Sequence, residues 1–174
     1  TIAITNDENS LTPFTYVSAT GTVVNRLIYD TLFITDLENN VVPWMVQDDY
    51  EVDDTGTTYT VTLLDGQFFH DGTPVTAQDV VFSFTYPATQ NVSSQRRICE
   101  QIARVEAVDE KTVTFVLKNP DVNFLRSGLA SMRIISKAQY ENVQDATSLH
   151  ETMGSGMYRL KEYSTGQYYV LEAV

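Results

Sequence analysis

The chain has 174 residues with 23 acidic against 11 basic side chains, a formal net charge of −12. That balance argues against nucleic acid, whose phosphates need a basic face, and against an anionic membrane surface. The length suits one domain or one and a half, with an ordinary apolar content of 43%. The single cysteine, Cys99, allows no internal disulfide, and no signal peptide, lipidation site or membrane-spanning apolar run can be read in it.

In chain order, Thr1–Thr5 alternates weakly and predicts a strand, followed by a polar loop from Asn6 to Ser10. Pro13 and the run Ser18–Gly21 break regular structure. Val23, Val24, Leu27, Ile28 and Leu32 recur at helical spacing, so Thr22–Leu32 predicts a helix. Phe33–Thr35 and Val41-Val42 flank a turn-rich connection, Asp36–Asn40, and Trp44-Met45 lead toward a sheet. A hairpin follows, with Glu51-Val52 and Thr58–Leu64 around Asp53–Gly56. Tyr59, Val61 and Leu63 share one face and Thr58, Thr60 and Thr62 the other, the pattern of a strand buried on one side.

The best-punctuated stretch is Leu63–Tyr86. Asp65-Gly66 and Asp71-Gly72 mark tight turns because Gly accepts φ > 0 at no steric cost. Gln67–Phe69 leaves room for a short strand, and Pro74 forces Thr73 to be extended. Thr76 with Asp79 predicts a capping box ahead of the apolar run Val80–Phe84. The polar stretch Thr89–Glu100 separates this helix from a second hairpin, Val105–Val108 and Thr112–Leu117, which Asn119-Pro120 ends. Phe124–Ala130 and Ser136–Val143 predict short helices around an apolar strand, Arg133–Ile135. Met157–Leu160 and Tyr168–Leu171 predict a third hairpin, turned at Ser164–Gln167.

Catalytic constellations are thin. His70 beside Asp71 has the composition of a base and its orienting carboxylate, yet it reads more simply as a turn histidine at a strand end. Neither a G-x-S-x-G elbow, an H-E-x-x-H pair nor a phosphate-binding glycine loop occurs. The acidic run Asp48–Asp54 lacks the regular spacing and terminal Glu of a calcium loop and reads as a solvated turn. Cys99 lies near Arg96 and Arg97, whose charge favours a thiolate, but a lone thiol without a placed histidine reads as inert. Most of the ten Tyr and eight Phe fall on alternating hairpin faces and predict core; Tyr16, Tyr86 and Tyr168-Tyr169 stand apart.

The segment FHDGTPVTAQDVVFSF resembles the most characteristic stretch of the family 5 extracellular solute-binding proteins, the peptide-binding subunits of ABC importers with nickel- and sugar-binding relatives. The resemblance extends through Ser10–Pro13, Leu27–Leu32 and Val42-Pro43 to Gly154–Tyr158, with Thr12 where the family often has Asp and Met157 where it often has Pro. Family members are much longer, and the abrupt ends at Thr1 and Val174 read as a piece of a mature protein.

The resemblance implies a mixed α/β fold with antiparallel hairpins, periplasmic-binding-protein-like of class II: part of the first lobe plus an inserted subdomain. Residues 1–30 would start the first lobe, 31–152 form the inserted α+β subdomain and 153–174 return to the first lobe, the second lobe being absent from this chain. It further implies extracytoplasmic capture of a peptide or similar solute for an ABC permease, by a monomer without cofactor or metal. Membrane attachment would come only through a lipid anchor outside the chain. A sensor or pheromone receptor, or a nickel- or oligosaccharide-binding member, would share these signals, and a hydrolase is disfavoured for want of a nucleophile with a placed base. Carried over by position, the ligand-binding residues would be Tyr16, Val17, Ser18, Ala19 and Thr20 in the loop before the first helix, with Arg96 and Arg97 after the capped helix.

Overall fold

The computed structural model describes residues 11–14, 19–90, 93–143, 152–164 and 166–174. The strand expected at Thr1–Thr5 therefore lies outside the described residues. Its central feature is a four-stranded antiparallel sheet of β3 (Glu51–Val52), β4 (Thr58–Thr62), β5 (Ile102–Ala107) and β6 (Thr112–Leu117), in the order β3-β4-β6-β5. Tyr59 pairs with Phe115 and Val61 with Val113, and all four are buried. Thr60 and Thr114 meet through their hydroxyls at 3.2 Å on the other face. This is the one-side-buried pattern that the alternation predicts.

Helix α2 (Ala77–Thr89) covers the apolar face, with Phe84 edge-on to Phe115 at 4.8 Å. Its start is the expected capping box. The Asp79 carboxylate accepts from the Thr76 N–H at 3.0 Å and from the Thr76 hydroxyl at 2.7 Å. Gly66 and Gly72 hold φ of +76° and +84°, as the two Asp-Gly turns require. The short strand expected at Gln67–Phe69 reduces to a single bridge between Phe68 and Pro74.

Several expectations shift. Helix α1 runs Ala19–Ile28, starting earlier and stopping short of Leu32. It stops where the Ile28 carbonyl takes the Gly156 N–H, at 2.8 Å, in place of an intrahelical donor. Phe33–Thr35 (β1) and Val41–Pro43 (β2) pair antiparallel, so the turn-rich connection is a hairpin. The stretch Thr89–Glu100 contains helix α3 (Ser93–Gln101). Phe124–Ala130 is a π-helical turn, Leu125–Leu129, and α4 shrinks to Lys137–Tyr140.

Arg133–Ile135 is not a strand. Its amides go to separate partners: Ile134 N–H to the Asp30 carbonyl at 3.0 Å and Ile135 N–H to Ser83 Oγ at 2.9 Å. Lys137 N–H then donates to Asp79 Oδ1 at 2.9 Å. The segment is buried against α2 without a ladder. The third hairpin forms as expected, β7 (Tyr158–Ser164) against β8 (Tyr168–Ala173).

Two apolar clusters result. One gathers residues between Leu32 and Ile134, including Tyr59, Val80, Phe84 and Phe115. The other joins Leu11, Phe14, Val24, Ile28 and Tyr29 to Tyr86, Ile135 and Tyr140, with Leu160, Tyr169 and Leu171 against it. Helix α2 thus serves both, with Val80 and Phe84 in the first and Phe82 and Tyr86 against the second.

Candidate functional site

Of the seven residues expected to meet ligand, Tyr16, Val17 and Ser18 lie outside the described residues. Ala19 and Thr20 form the first turn of α1. Arg96 and Arg97 lie on α3, both exposed. Arg96 pairs with Glu100 at 3.0 Å across one helical turn, a half-exposed contact of little energetic weight. Arg97 lines a shallow depression of about 420 Å³ with Lys118, Asn119 and Asp121, at the far end of the sheet.

The side chain that joins these two stretches is Gln95. It is buried, and its Nε2 donates to the Pro13 carbonyl at 3.1 Å, just ahead of Tyr16. Its Oε1 is buried with no hydrogen-bond partner among the described residues. Helical phase explains why the sequence alone does not single it out. Gln95, Ile98, Cys99 and Ile102 recur at i, i+3, i+4 and i+7, but only two of the four are aliphatic. Arg96 and Arg97 are rotated onto the solvent side.

Cys99 shares that inner face. Burial pushes its thiol up to about 11, so the neighbouring arginines do not favour a thiolate. In the acidic run, Asp53 accepts from the Thr57 and Thr58 N–H groups at 2.8 and 2.9 Å. These bonds hold its carboxyl well below the usual range. No cluster of potential metal ligands occurs among the described residues.

The two most distinctive sequence fragments meet in space. The His70 N–H donates to the Gly154 carbonyl and its ring Nε2 to the Gly156 carbonyl, both at 2.9 Å. Gly154 and Gly156 press against the end of α1: a Cβ on Gly154 would lie 1.9 Å from the Ile28 carbonyl oxygen, and one on Gly156 2.5 Å from that of Leu27. Asp71 accepts from the Thr73 N–H and hydroxyl at 2.9 and 2.6 Å, so it closes the turn rather than orienting His70. The resulting block ties the turn before α2, the end of α1 and the start of β7 together.

The model of the bacterial extracellular solute-binding proteins, family 5, matches residues 40–174, which include the His70 turn, the Gly154–Gly156 segment and the sheet. The chain belongs to that family. It is 33% identical over 160 residues to the oligopeptide-binding protein AppA of Bacillus subtilis, covering 88% of this chain and 29% of AppA. The structure of that AppA in complex with a nonapeptide superposes with a TM-score of 0.87 at 30% identity, over 94% of this chain and 34% of the other. The glutathione-binding protein GsiB of Escherichia coli O1:K1 is 29% identical over 167 residues, 94% of this chain and 32% of GsiB. NikZ of Campylobacter jejuni, in complex with Ni(L-His), superposes with a TM-score of 0.86 at 26% identity, over 97% of this chain and 34% of NikZ. The chain thus spans about a third of the relatives it matches, and its fold is the periplasmic-binding-protein-like α/β fold of this family.

Proposed function

We propose that this chain is the peptide-facing part of an extracytoplasmic solute-binding protein that captures peptides, or a similar small solute, and passes them to the permease of an ABC importer. The observation that carries this reading is the superposition on peptide-bound AppA over 94% of the chain. The protein acts as a monomer, without bond-making chemistry, and a lipid anchor outside the chain accounts for any membrane attachment. Residues 1–30 and 153–174 belong to the first lobe and 31–152 to the inserted subdomain. In support, every buried residue of the cluster around Phe84 and Phe115 lies within 31–152, while Leu11, Phe14, Val24, Ile28 and Tyr29 join Leu160, Tyr169 and Leu171 in the other cluster, to which Tyr86, Ile135 and Tyr140 also contribute.

Ligand contacts fall on Tyr16–Thr20, with Arg96 and Arg97 at the mouth. The bond from Gln95 to Pro13 supports this, because it brings the residue before Arg96 against the segment leading to Tyr16. An extended peptide held by main-chain hydrogen bonds gains affinity without fixed side-chain identity. Clamp-type binding divides those bonds between two surfaces, and this chain supplies one. Losing about 4 kcal/mol of them turns a micromolar site into a millimolar one.

Titration of the ¹⁵N-labelled chain with a peptide library is therefore expected to give weak, fast-exchange shifts centred on Tyr16–Thr20 and Gln95–Arg97. Tight binding by this chain alone, or shifts confined to Thr58–Thr62 and Thr112–Leu117, would overturn the assignment.

A further inference from the structure

The chain holds two Asp-Gly pairs, Asp65-Gly66 and Asp71-Gly72. Both lie in exposed turns, and both glycines sit at positive φ, +76° and +84°. An Asp-Gly pair carries a reaction of its own. The glycine amide nitrogen can add to the aspartate Cγ, because a residue without Cβ lets its backbone be approached closely. Identical dipeptides in similar turns therefore isolate what the surrounding fold does to that reaction.

At the second pair both reacting groups are held. The Asp71 carboxylate accepts from the Thr73 N–H at 2.9 Å and from the Thr73 hydroxyl at 2.6 Å. The Gly72 N–H donates to the Phe69 carbonyl at 2.9 Å. Ring closure at Asp71 must break these hydrogen bonds and open the turn that leads into Pro74.

The first pair is open. The Asp65 side chain is 88% exposed and pairs with the Lys111 ammonium, itself half exposed, and an exposed ion pair separates at little cost. The Gly66 N–H has no hydrogen bond among the described residues. Space does not distinguish the pairs, since nothing lies within 4 Å of where a Cβ would sit on either glycine. Ionisation does not distinguish them either: the bond from Lys111 holds the Asp65 carboxyl below its usual range, as the bonds from Thr73 do for Asp71. The difference is in the hydrogen bonds that fix the reacting atoms.

We propose that Asp65 is a site of self-modification, converting to isoaspartate in the folded protein while Asp71 stays intact. The Gly66 nitrogen bonds to Asp65 Cγ, and one water leaves with the carboxyl oxygen and the amide proton, giving a cyclic imide. A second water adds at the Asp65 α-carbonyl carbon and breaks its bond to the Gly66 nitrogen. The product has the mass of the parent. Its main chain runs through Cβ and Cγ, and a free carboxylate stands on the α carbon. The extra methylene falls ahead of the turn from which His70 holds the Gly154 and Gly156 carbonyls. The reaction needs only water and stands whether or not the chain captures peptides.

The test compares the native chain with the same chain kept unfolded in guanidinium chloride, both incubated at neutral pH and body temperature. Proteolytic peptides taken at intervals are read by electron-transfer fragmentation, which separates isoaspartate from aspartate position by position. In guanidinium the two sites should convert at similar rates, because the dipeptide is the same. In the native chain Asp65 should convert at least about tenfold faster than Asp71, the effect on a barrier of keeping one hydrogen bond. Equal native rates, which global unfolding would produce, overturn the proposal. Faster native conversion at Asp71, or conversion of Asp65 in guanidinium only, also overturns it.

Discussion

Replacing Asp79 by alanine removes one carboxylate that serves two elements. The side chain is 8% exposed. One oxygen takes the Thr76 N–H and hydroxyl at the start of α2, and the other takes the Lys137 N–H at the start of α4. Loss of the box costs about 1 kcal/mol. Two partly buried N–H groups are also left without acceptors, at about 1 kcal/mol each at the low end of the range. The total is about 3 kcal/mol. Thr76→Ala removes only the hydroxyl and should cost about 1 kcal/mol. In urea, with a slope of about 2 kcal/mol per molar, the midpoints should fall by about 1.5 M and 0.5 M with unchanged slopes. Because the Thr76 hydroxyl points at Asp79, the double variant should match Asp79→Ala to within about 0.5 kcal/mol instead of adding. An Asp79→Ala shift no larger than that of Thr76→Ala would refute the claim that this carboxylate holds the 133–137 segment on α2.

Gly154→Ala would place a methyl 1.9 Å from the Ile28 carbonyl oxygen and force apart the backbone that binds His70. A loss of about 3 kcal/mol or more is expected in the same melts, and a loss under about 1 kcal/mol would show that the crossover adapts. A pH series tests Asp30, whose carboxyl burial raises above 3.8 while the Trp44 bond lowers it. The native state then holds this proton longer than the unfolded chain. The contribution is fully present below the unfolded value and lost as pH rises through the native one. The stability of the parent relative to Asp30→Asn should accordingly fall as pH rises from below the ordinary carboxylate value through the raised native one; a rise over that range would mean that Arg133 and Trp44 outweigh burial.

The parts legible in the sequence are those whose signal is local. Alternation of Tyr59, Val61 and Leu63 against three threonines sets β4 without knowledge of its partner. Thr76 and Asp79 announce the start of α2 because a capping box needs only four residues. Helix α3 was hidden because Gln95 and Cys99 stand where a core face ordinarily shows aliphatics. Arg133–Ile135 read as a strand because burial of consecutive apolar residues looks the same in a strand and in an extended segment. What distinguishes them is the hydrogen-bond partner, here Ser83 Oγ and a lone carbonyl. A cavity beside Asp30 draws on residues from 26 to 157, so no local window contains it. Of the peptide-facing stretch, sequence supplies the candidate residues, and the fold adds Gln95 as their link.

His70 shows how a residue type suggestive of catalysis can be committed to architecture. A carbonyl oxygen can only accept, so the ring nitrogen facing Gly156, Nε2, carries the proton. The lone pair is then left on Nδ1, which is buried with no hydrogen-bond partner among the described residues. A general base must present its lone pair within about 3 Å of the proton it removes, and a buried Nδ1 cannot do so for a solute at the surface. What the ring does instead follows from its second bond. Through its amide and its imidazole, His70 holds two carbonyls of the Gly154–Gly156 segment, whose own Gly156 N–H closes α1 at Ile28. Movement of that segment would break all three bonds at once. The relative placement of α1 and the turn before α2 is thereby fixed by backbone acceptors, which is why glycine, and not a particular side chain, occupies both positions.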